Sequence, residues 1–511
     1  MSPCISRRDF LKLTGLAQMG LASPRLAELL AGLPAAAGNA KNVLVLVFDA
    51  LSSMSLSLDG YARETAPNLA RLAKRAVVYH NHFAASNFTS SGTASLLTGT
   101  LPWTHRAIED NGTVADSEVD HNIFKAFPDY YRTAFTHNSW AMTLLDQFRR
   151  AIDDLVPREK MYLETYDGLI HALFYRDDDV ADVGWTREMK LQGGYSYSLF
   201  LSRLYKSVRD AATANLEAKF PRGLPMNASS DAFLMEQTAS WLEDHLTVIP
   251  QPFLGYYHFL PPHAPYRTSL EFFGRFASDG LTPVNKPFDE FGSKPATEAA
   301  LEARTEYDEF ILYADKAFGS MYEALERSGR LDQTWLVVTS DHGEMFERGL
   351  IGHGNPTLYQ PVIRVPLLIF EPGREVGMDI HAVTSAVDVL PTLAQVTGHA
   401  IPSWTEGTVL PPYSSAESDR DRGVYAVQAR KSHQYLPLTR ATITLVKGRY
   451  KVIYYFGYAE LEMQDVVKMY DIQADPEELV DLSTSRPDIT SALLGELKRS
   501  LADANRPYQS P

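Results

Sequence analysis

Four apolar runs in this chain each end in residues able to bind a cation or move a proton. Asn42-Val43-Leu44-Val45-Leu46-Val47-Phe48 runs into Asp49, and Trp335-Leu336-Val337-Val338-Thr339-Ser340 runs into Asp341-His342. Pro252 to Leu260 leads to Pro261-Pro262-His263, and Arg132 to Thr136 leads to His137-Asn138. Short continuous apolar runs are what strands buried on both faces of a parallel sheet require. In such a sheet the carboxyl ends share one edge, where open α/β sheets bind ligands. Asp49, Asp341 and His342 would then form a mixed carboxylate–imidazole set for a divalent metal ion. Carboxylates suit Mg, Ca or Mn, and the imidazole moves the preference toward Zn or Mn. Any one Asp at a strand end can also be a helix cap or turn residue. Their joint appearance at strand ends is what favours a metal.

A second centre is Asn87-Phe88-Thr89-Ser90-Ser91-Gly92-Thr93-Ala94-Ser95-Leu96-Leu97-Thr98-Gly99. Hydroxyls and a glycine precede an apolar helix start. A helix N-terminus offers free N–H groups and a positive dipole end, which can hold a tetrahedral oxyanion. By composition alone the segment reads first as a Ser/Thr-rich cap. His137, Asn138, His105 and Arg106 are lesser candidates for the same neighbourhood.

Helical stretches separate the strands, among them Pro67 to Arg75 and Tyr307 to Ser328, and a further apolar run is Val365 to Phe370. This alternation predicts an α/β fold, a mostly parallel central sheet with helices on both faces. Residues 158–230, rich in Tyr, Asp and Arg, break the rhythm and read as an insertion or cap near the site mouth. Ser278 to Pro295 reads as a loop, and Pro402 to Pro412 as a boundary. Beyond it, Thr442 to Tyr455 reads as a hairpin turning at Lys447-Gly448, and Ile489 to Ala504 as an amphipathic helix. The expected organisation is a signal over 1–40, a catalytic domain over 41–400 and a smaller C-terminal α+β subdomain over 401–511.

Ser6-Arg7-Arg8-Asp9-Phe10-Leu11-Lys12, a modestly apolar stretch and the small-residue run Ala35 to Ala40 describe a twin-arginine export signal. The expected partner is the twin-arginine export machinery, and the expected location periplasmic or secreted. No later run reaches the roughly 18 apolar residues of a membrane span, so none is expected after signal removal. The only cysteine is Cys4, inside the expected signal, so thiol catalysis and disulfides are not expected in the mature chain. The 511 residues carry a net charge of -15, which argues against a nucleic-acid partner. A small anionic ester remains compatible, because a bound metal supplies local positive charge.

The ordered series of motifs resembles the sulfatase branch of the alkaline phosphatase superfamily. Leu96-Leu97-Thr98-Gly99 looks like the segment that follows the family's nucleophile, and its spacing puts Thr89 at the nucleophile position. Ser340-Asp341-His342-Gly343-Glu344 with Gly352-His353-Gly354 is similar to the metal-binding motif. Pro262-His263-Ala264-Pro265-Tyr266, Arg364-Val365-Pro366, Asp388-Val389-Leu390-Pro391-Thr392 and Tyr470-Asp471-Ile472 with Asp475-Pro476-Glu477-Glu478-Leu479 continue the match, which spans about residues 42 to 482. The chain departs from the sulfatase pattern in carrying Thr89 where a Cys or Ser is converted to formylglycine, in Ser91 and Thr93, in Ala50 after Asp49, and in His342. The pattern is closer to the threonine-dependent relatives: phosphodiesterases, phosphonate ester hydrolases and the transferases of phosphoethanolamine and glycerol phosphate.

The resemblance implies an alkaline phosphatase-like fold and a metal held by Asp49, Asp341, His342 and the Thr89 oxygen. It implies attack by Thr89 on phosphorus, with a covalent intermediate. His263 and His353 are then candidates for protonating the leaving group, for contacting a substrate oxygen, or for completing a second metal site. Asp388 is expected to cap or orient a helix. The leading expectation is a phosphodiester or phosphomonoester hydrolase. The alternatives are a sulfate or phosphonate ester hydrolase, a transferase, and a non-catalytic relative that keeps the fold.

Overall fold

The computed structural model describes residues 40–161, 214, 216–227, 232–293, 297–414 and 422–509. The expected export signal, apart from Ala40, lies outside the described residues, as does most of the insertion expected at 158–230. Lys41–Pro511 forms one compact unit. No helix among the described residues is long and apolar enough to cross a membrane.

The chain supplies β1 (Asn42–Phe48), β2 (Val77–Phe83), β3 (Tyr131–Thr136), β4 (Asp154–Leu155), β5 (Phe253–Phe259), β6 (Thr334–Thr339), the short hairpin β7 (Met345–Glu347) and β8 (Leu350–Gly352), β9 (Leu367–Phe370) and β10 (Met378–Ser385). Eight of these form one sheet in the order β10-β2-β9-β6-β1-β5-β3-β4. Every strand of it runs the same way except β9, which is antiparallel to both neighbours. The sheet is therefore mostly parallel, as expected, with the run at Val365 to Phe370 as its one reversed member.

Among the described residues, the helices of six or more residues that flank it are α1 (Pro67–Leu72), α2 (Thr89–Thr98), α3 (Ser139–Gln147), α4 (Met235–Val248), α5 (Thr297–Arg327) and α6 (Val389–Thr397). Side chains alternate between the faces of a strand, and the two cores follow that alternation. Leu44, Leu46, Phe48, Tyr257, Phe259 and Val338 pack with Leu69 of α1, Leu242 of α4 and Phe318 of α5. Val43, Val45, Val47, Tyr256 and Val337 pack with Leu97 of α2, Leu144 of α3 and Leu390 of α6. Helix α5 begins at Thr297, ten residues ahead of the expected Tyr307; before Tyr307 only Ala303 packs its apolar side chain against the core.

Beyond the parallel sheet, β11 (Gly423–Gln428), β12 (Ala441–Lys447), β13 (Tyr450–Phe456) and β14 (Val466–Asp471) form an antiparallel sheet in chain order. Helix α7 (Pro487–Asn505) covers one face through Leu493 and Leu497, and Tyr359, Val362 and Ile363 cover the other. The expected hairpin is β12–β13, with Lys447 opposite Tyr450 and Gly448 at φ 59° in the turn. Buried Lys451 donates to Glu478 Oε1 at 2.6 Å, and Glu478 Oε2 accepts the Gln360 N–H at 2.8 Å.

Candidate active site

Strand register sets the site's floor. Thr136, His258, Val47 and Thr339 lie side by side across β3, β5, β1 and β6. Two residues further along, on the same face, come Asn138, Asp49 and Asp341. That face carries α2, so the carboxyl-edge residues meet the first turn of the helix that begins at Thr89. Gly92 allows the approach: a Cβ there would lie 2.2 Å from the Asp341 carbonyl oxygen. Phe88 is the N-cap, which places Thr89 at the first helical position, buried and at the positive end of the dipole.

Asp49, Asp341 and His342 are fully buried, and each offers a ligand atom within 4.8 Å of the others. His342 Nε2 lies 3.5 Å from Asp49 Oδ1 and 3.7 Å from Asp341 Oδ2. Its Nδ1 sits 2.9 Å from the Gly343 carbonyl, which accepts the ring proton and leaves the Nε2 lone pair facing the carboxylates. Asp49 Oδ1 is buried without a hydrogen-bond partner. A buried carboxylate oxygen without a donor is costly unless a cation meets it. Two carboxylates and a neutral imidazole therefore fit a divalent ion. Burial alone would push the Asp49 carboxyl up, but His263 and His258 outweigh it and hold Asp49 well below the usual carboxylate range. Burial, aided by the neighbouring His353, lowers His342 and keeps it neutral despite Asp341.

Thr89 Oγ1 lies 3.3 Å from His342 Nε2 and accepts from Asn138 Nδ2 at 3.4 Å. The same amide donates to Asp49 Oδ2 at 2.5 Å. Its oxygen accepts the N–H groups of Trp140 and Ala141 at the start of α3, which fixes which end of the amide faces the site. Thr93 donates to Asp341 Oδ2 at 3.2 Å. Ala50 has a positive φ of 61°, and its carbonyl accepts the Tyr307 hydroxyl at 2.7 Å. A non-glycine residue in that region is strained, and it lies directly after Asp49.

Two further imidazoles stand over this floor. His353 Nδ1 lies 2.9 Å from Glu344 Oε1, and Glu344 Oε2 accepts the Tyr266 hydroxyl at 3.0 Å. Burial works against charge on His353, but Glu344 outweighs it and the pKa is raised. The His353 ring centroid lies 4.4 Å from that of His342 and 4.7 Å from that of His263. His263 Nδ1 faces the Ala264 carbonyl at 2.5 Å, which leaves Nε2 as its free nitrogen. At the rim, Arg430 pairs with Asp110 and lies 5.7 Å from the Phe88 ring and 5.6 Å from that of Trp140. Gly354, at φ 69°, admits it, since a Cβ there would meet Arg430 Nη1 at 2.4 Å.

All the principal residues singled out from sequence thus lie together: Asp49, Thr89, Asp341, His342, His263 and His353. Of the lesser four, only Asn138 joins them. His137 falls on the opposite sheet face, stacked on Phe233 with ring centroids 4.0 Å apart, and burial holds its pKa well below the usual imidazole range. His105 is buried against Ser95 Oγ at 2.9 Å, and burial lowers its pKa to about 3. Arg106 donates to backbone carbonyls of His433, Gln434 and Leu436, tying the helix region to the C-terminal sheet. Asp388 closes a capping box with Ser385 and takes a bidentate pair from Arg422. Sequence reasoning missed His258, whose Nε2 lies 3.2 Å from Asp49 Oδ2, and gave Glu344 no role. An imidazole inside the run Phe253 to Phe259, near its carboxyl end, was the available signal for the first.

A family model described as Sulfatase matches residues 41–399, and one described as N-sulphoglucosamine sulphohydrolase, C-terminal, matches residues 353–506. Over 468 residues the chain is 28% identical to choline-sulfatase of Rhizobium meliloti (strain 1021), covering 86% of this chain and 82% of that protein. It is 23% identical over 497 residues to the multifunctional alkaline phosphatase superfamily protein PehA of Trinickia caryophylli, covering 87% of this chain and 91% of that one. The crystal structure of phosphonate monoester hydrolase of Agrobacterium radiobacter superposes with a TM-score of 0.63 at 18% identity, covering 91% and 96% of the two chains. That last likeness is one of fold.

Proposed function

The chain belongs to the sulfatase family of ester hydrolases, and on that premise we propose that it is an exported, metal-dependent hydrolase of phosphate esters, diester or monoester, whose nucleophile is Thr89. The observation that carries this reading is the place of the Thr89 hydroxyl: buried at the start of α2, 3.3 Å from His342 Nε2 and within reach of the Asn138 amide. A divalent ion, with Zn or Mn favoured and Mg or Ca possible, would be held by Asp49, Asp341 and His342, and when bound it acidifies a hydroxyl and offsets charge on the ester oxygens.

The protein's own groups do the rest. Asn138 Nδ2 donates toward Thr89 Oγ1 and steadies negative charge there. With its proton passed to solvent, Oγ1 forms the bond to phosphorus as the ester oxygen leaves in line and takes up a proton. His353, kept charged by Glu344, faces the rings of His263 and His342 and is the proposed proton donor to that leaving oxygen. His263, through its free Nε2, contacts a non-bridging oxygen. Proton donation of this kind contributes typically ~10²–10⁴-fold. Water then attacks the phosphorus on Thr89; its OH stays on the product, phosphate from a monoester or a phosphate monoester from a diester, and its other proton restores the Thr89 hydroxyl.

A second reading is a sulfate or phosphonate ester hydrolase acting through the same groups. The likeness to choline-sulfatase over most of both chains favours it. Turnover of aryl phosphate, phosphodiester, phosphonate and sulfate esters by metal-free protein reloaded with Zn, Mn, Mg or Ca separates the two. The leading reading expects phosphorus esters to be turned over faster than sulfate, and a Thr89→Ala variant to lose turnover of all four. Full activity of that variant would remove Thr89 from the chemistry. For export, Arg7→Lys with Arg8→Lys should hold precursor in the cytoplasm, and normal export of that variant would reject the twin-arginine reading.

A further inference from the structure

The rim of the site carries a guanidinium to which the proposed chemistry gives no task. Arg430 stands two residues beyond β11, whose end is fastened to the segment leading into Thr89. There the Val427 N–H donates to the Ala85 carbonyl at 2.8 Å, and Ser86 Oγ donates to the Val427 carbonyl at 2.8 Å. The Arg430 side chain reaches the chain neighbours of three site residues. Its guanidinium lies 5.7 Å from the ring of Phe88, which precedes Thr89, and 5.6 Å from that of Trp140, two residues after Asn138. Nη1 donates at 3.3 Å to the carbonyl of Gly354, which follows His353. Gln428 Nε2 donates to the same carbonyl at 3.1 Å, which ties the end of β11 to the loop that carries His353.

Two nitrogens of the fork are thus committed, Nη1 to Gly354 and Nε to Asp110. Among the described residues Nη2 finds no acceptor. The Asp110 side chain is 51% exposed and that of Arg430 26%. A solvent-exposed ion pair contributes little, so Asp110 orients the guanidinium without covering it. A planar fork with a free edge matches a carboxylate, phosphate or sulfate group. His353 is the proposed proton donor to the leaving oxygen and Gly354 is the next residue, so an alcohol departing past His353 meets this edge. We propose that Arg430 is a specificity-determining residue that binds a second anionic group on the alcohol part of the ester, with Asp110 as the counter-charge that this group partly displaces. The substrate class is then an ester whose alcohol bears a carboxylate, phosphate or sulfate of its own. The inference rests on the ester-hydrolase reading and holds whether the scissile group is a phosphate or a sulfate.

The test compares 4-carboxyphenyl phosphate with 4-carbamoylphenyl phosphate, close in shape but different in charge, by release of the phenol from full-length enzyme loaded with Zn²⁺ or Mn²⁺. Should only sulfates be turned over, the two aryl sulfates take their place. The readout is the ratio of kcat/KM for carboxylate over carboxamide, since the intrinsic reactivity of each ester cancels when variants are compared. Arg430→Gln should lower that ratio by about tenfold, the worth of a hydrogen bond to a charged group, and Arg430→Lys should recover part of it. Asp110→Asn should raise the ratio by removing the competing carboxylate. An unchanged ratio in Arg430→Gln would overturn the inference. So would a fall in Asp110→Asn, because a pair that only clamps the rim loses the same function from either side. If the wild type hydrolyses neither ester of either class, the hydrolase reading falls and the inference with it; turnover of the carboxamide ester with a ratio indifferent to Arg430 refutes the inference alone.

Discussion

Gly92→Ala converts the closest approach in the site into a measurable displacement. The added Cβ would lie 2.2 Å from the Asp341 carbonyl oxygen, a backbone atom that cannot swing aside. An ordinary carbon contact is ~3.5 Å or more, so the first turn of α2 and the end of β6 must part by about 1 Å. Overpacking of this kind costs about 1–3 kcal/mol of stability. The same movement withdraws Thr89 from Asp341 and His342, and a misplacement of ~1 Å at a reacting centre lowers turnover by about 10²-fold. Ser91→Ala, one residue away on the same turn, is the control. Its buried hydroxyl has no hydrogen-bond partner, so its removal should leave turnover and stability nearly unchanged. Steady-state kinetics and urea unfolding of both variants decide the matter. Gly92→Ala with wild-type kcat would show that the spacing between α2 and β6 does not govern the reaction.

Glu478→Ala strands buried Lys451 and should destabilise the protein by about 3–5 kcal/mol, whereas Lys451→Met with Glu478→Leu should recover most of the loss; denaturant midpoints distinguish the two. Burial pushes the Asp315 carboxyl up from 3.8 to about 6, although the N–H groups of Asn68 and Leu69 at the start of α1 donate to it. A raised carboxyl pKa means that the unfolded chain gives up its proton first. The contribution is therefore full below pH 4 and is lost as pH rises through about 6, by up to about 3 kcal/mol. Asp315→Asn should flatten that part of the stability–pH curve, and an unchanged slope would clear Asp315 of the effect. Chelation followed by dialysis should lower both Tm and turnover, since a ligand bound only by the folded state stabilises it; re-addition of Zn²⁺ or Mn²⁺ should restore both, and indifference to chelation would contradict the metal site.

The parts of this site that were legible in the sequence are those where an abrupt change of chemistry ends a buried run. Asp49 after Phe48, and Asp341 after Ser340, announce strand ends because parallel strands buried on both faces read as unbroken apolar runs. That same property hides the faces. A run apolar on both sides does not say which residues share a side, so His137 and Asn138 looked equivalent until the register placed Asn138 with Asp49 and His137 on the far face. The place of His258 beside Asp49 was hidden for the same reason. Strand β2 was masked by His80-Asn81-His82 in its middle, and β10 by its half-exposed edge position, where the burial pattern carries no apolar run. The reversal of β9 depends on a connection through Arg364 that no periodicity records.

Rapid mixing of enzyme with an aryl phosphate, acid quench and peptide mapping by mass spectrometry tests the central claim most directly. The expected result is a phosphoryl group on the peptide containing Thr89, appearing within the first turnover and absent in Thr89→Ala. A productive first turnover with that peptide unmodified, or with the group on another side chain, would contradict it.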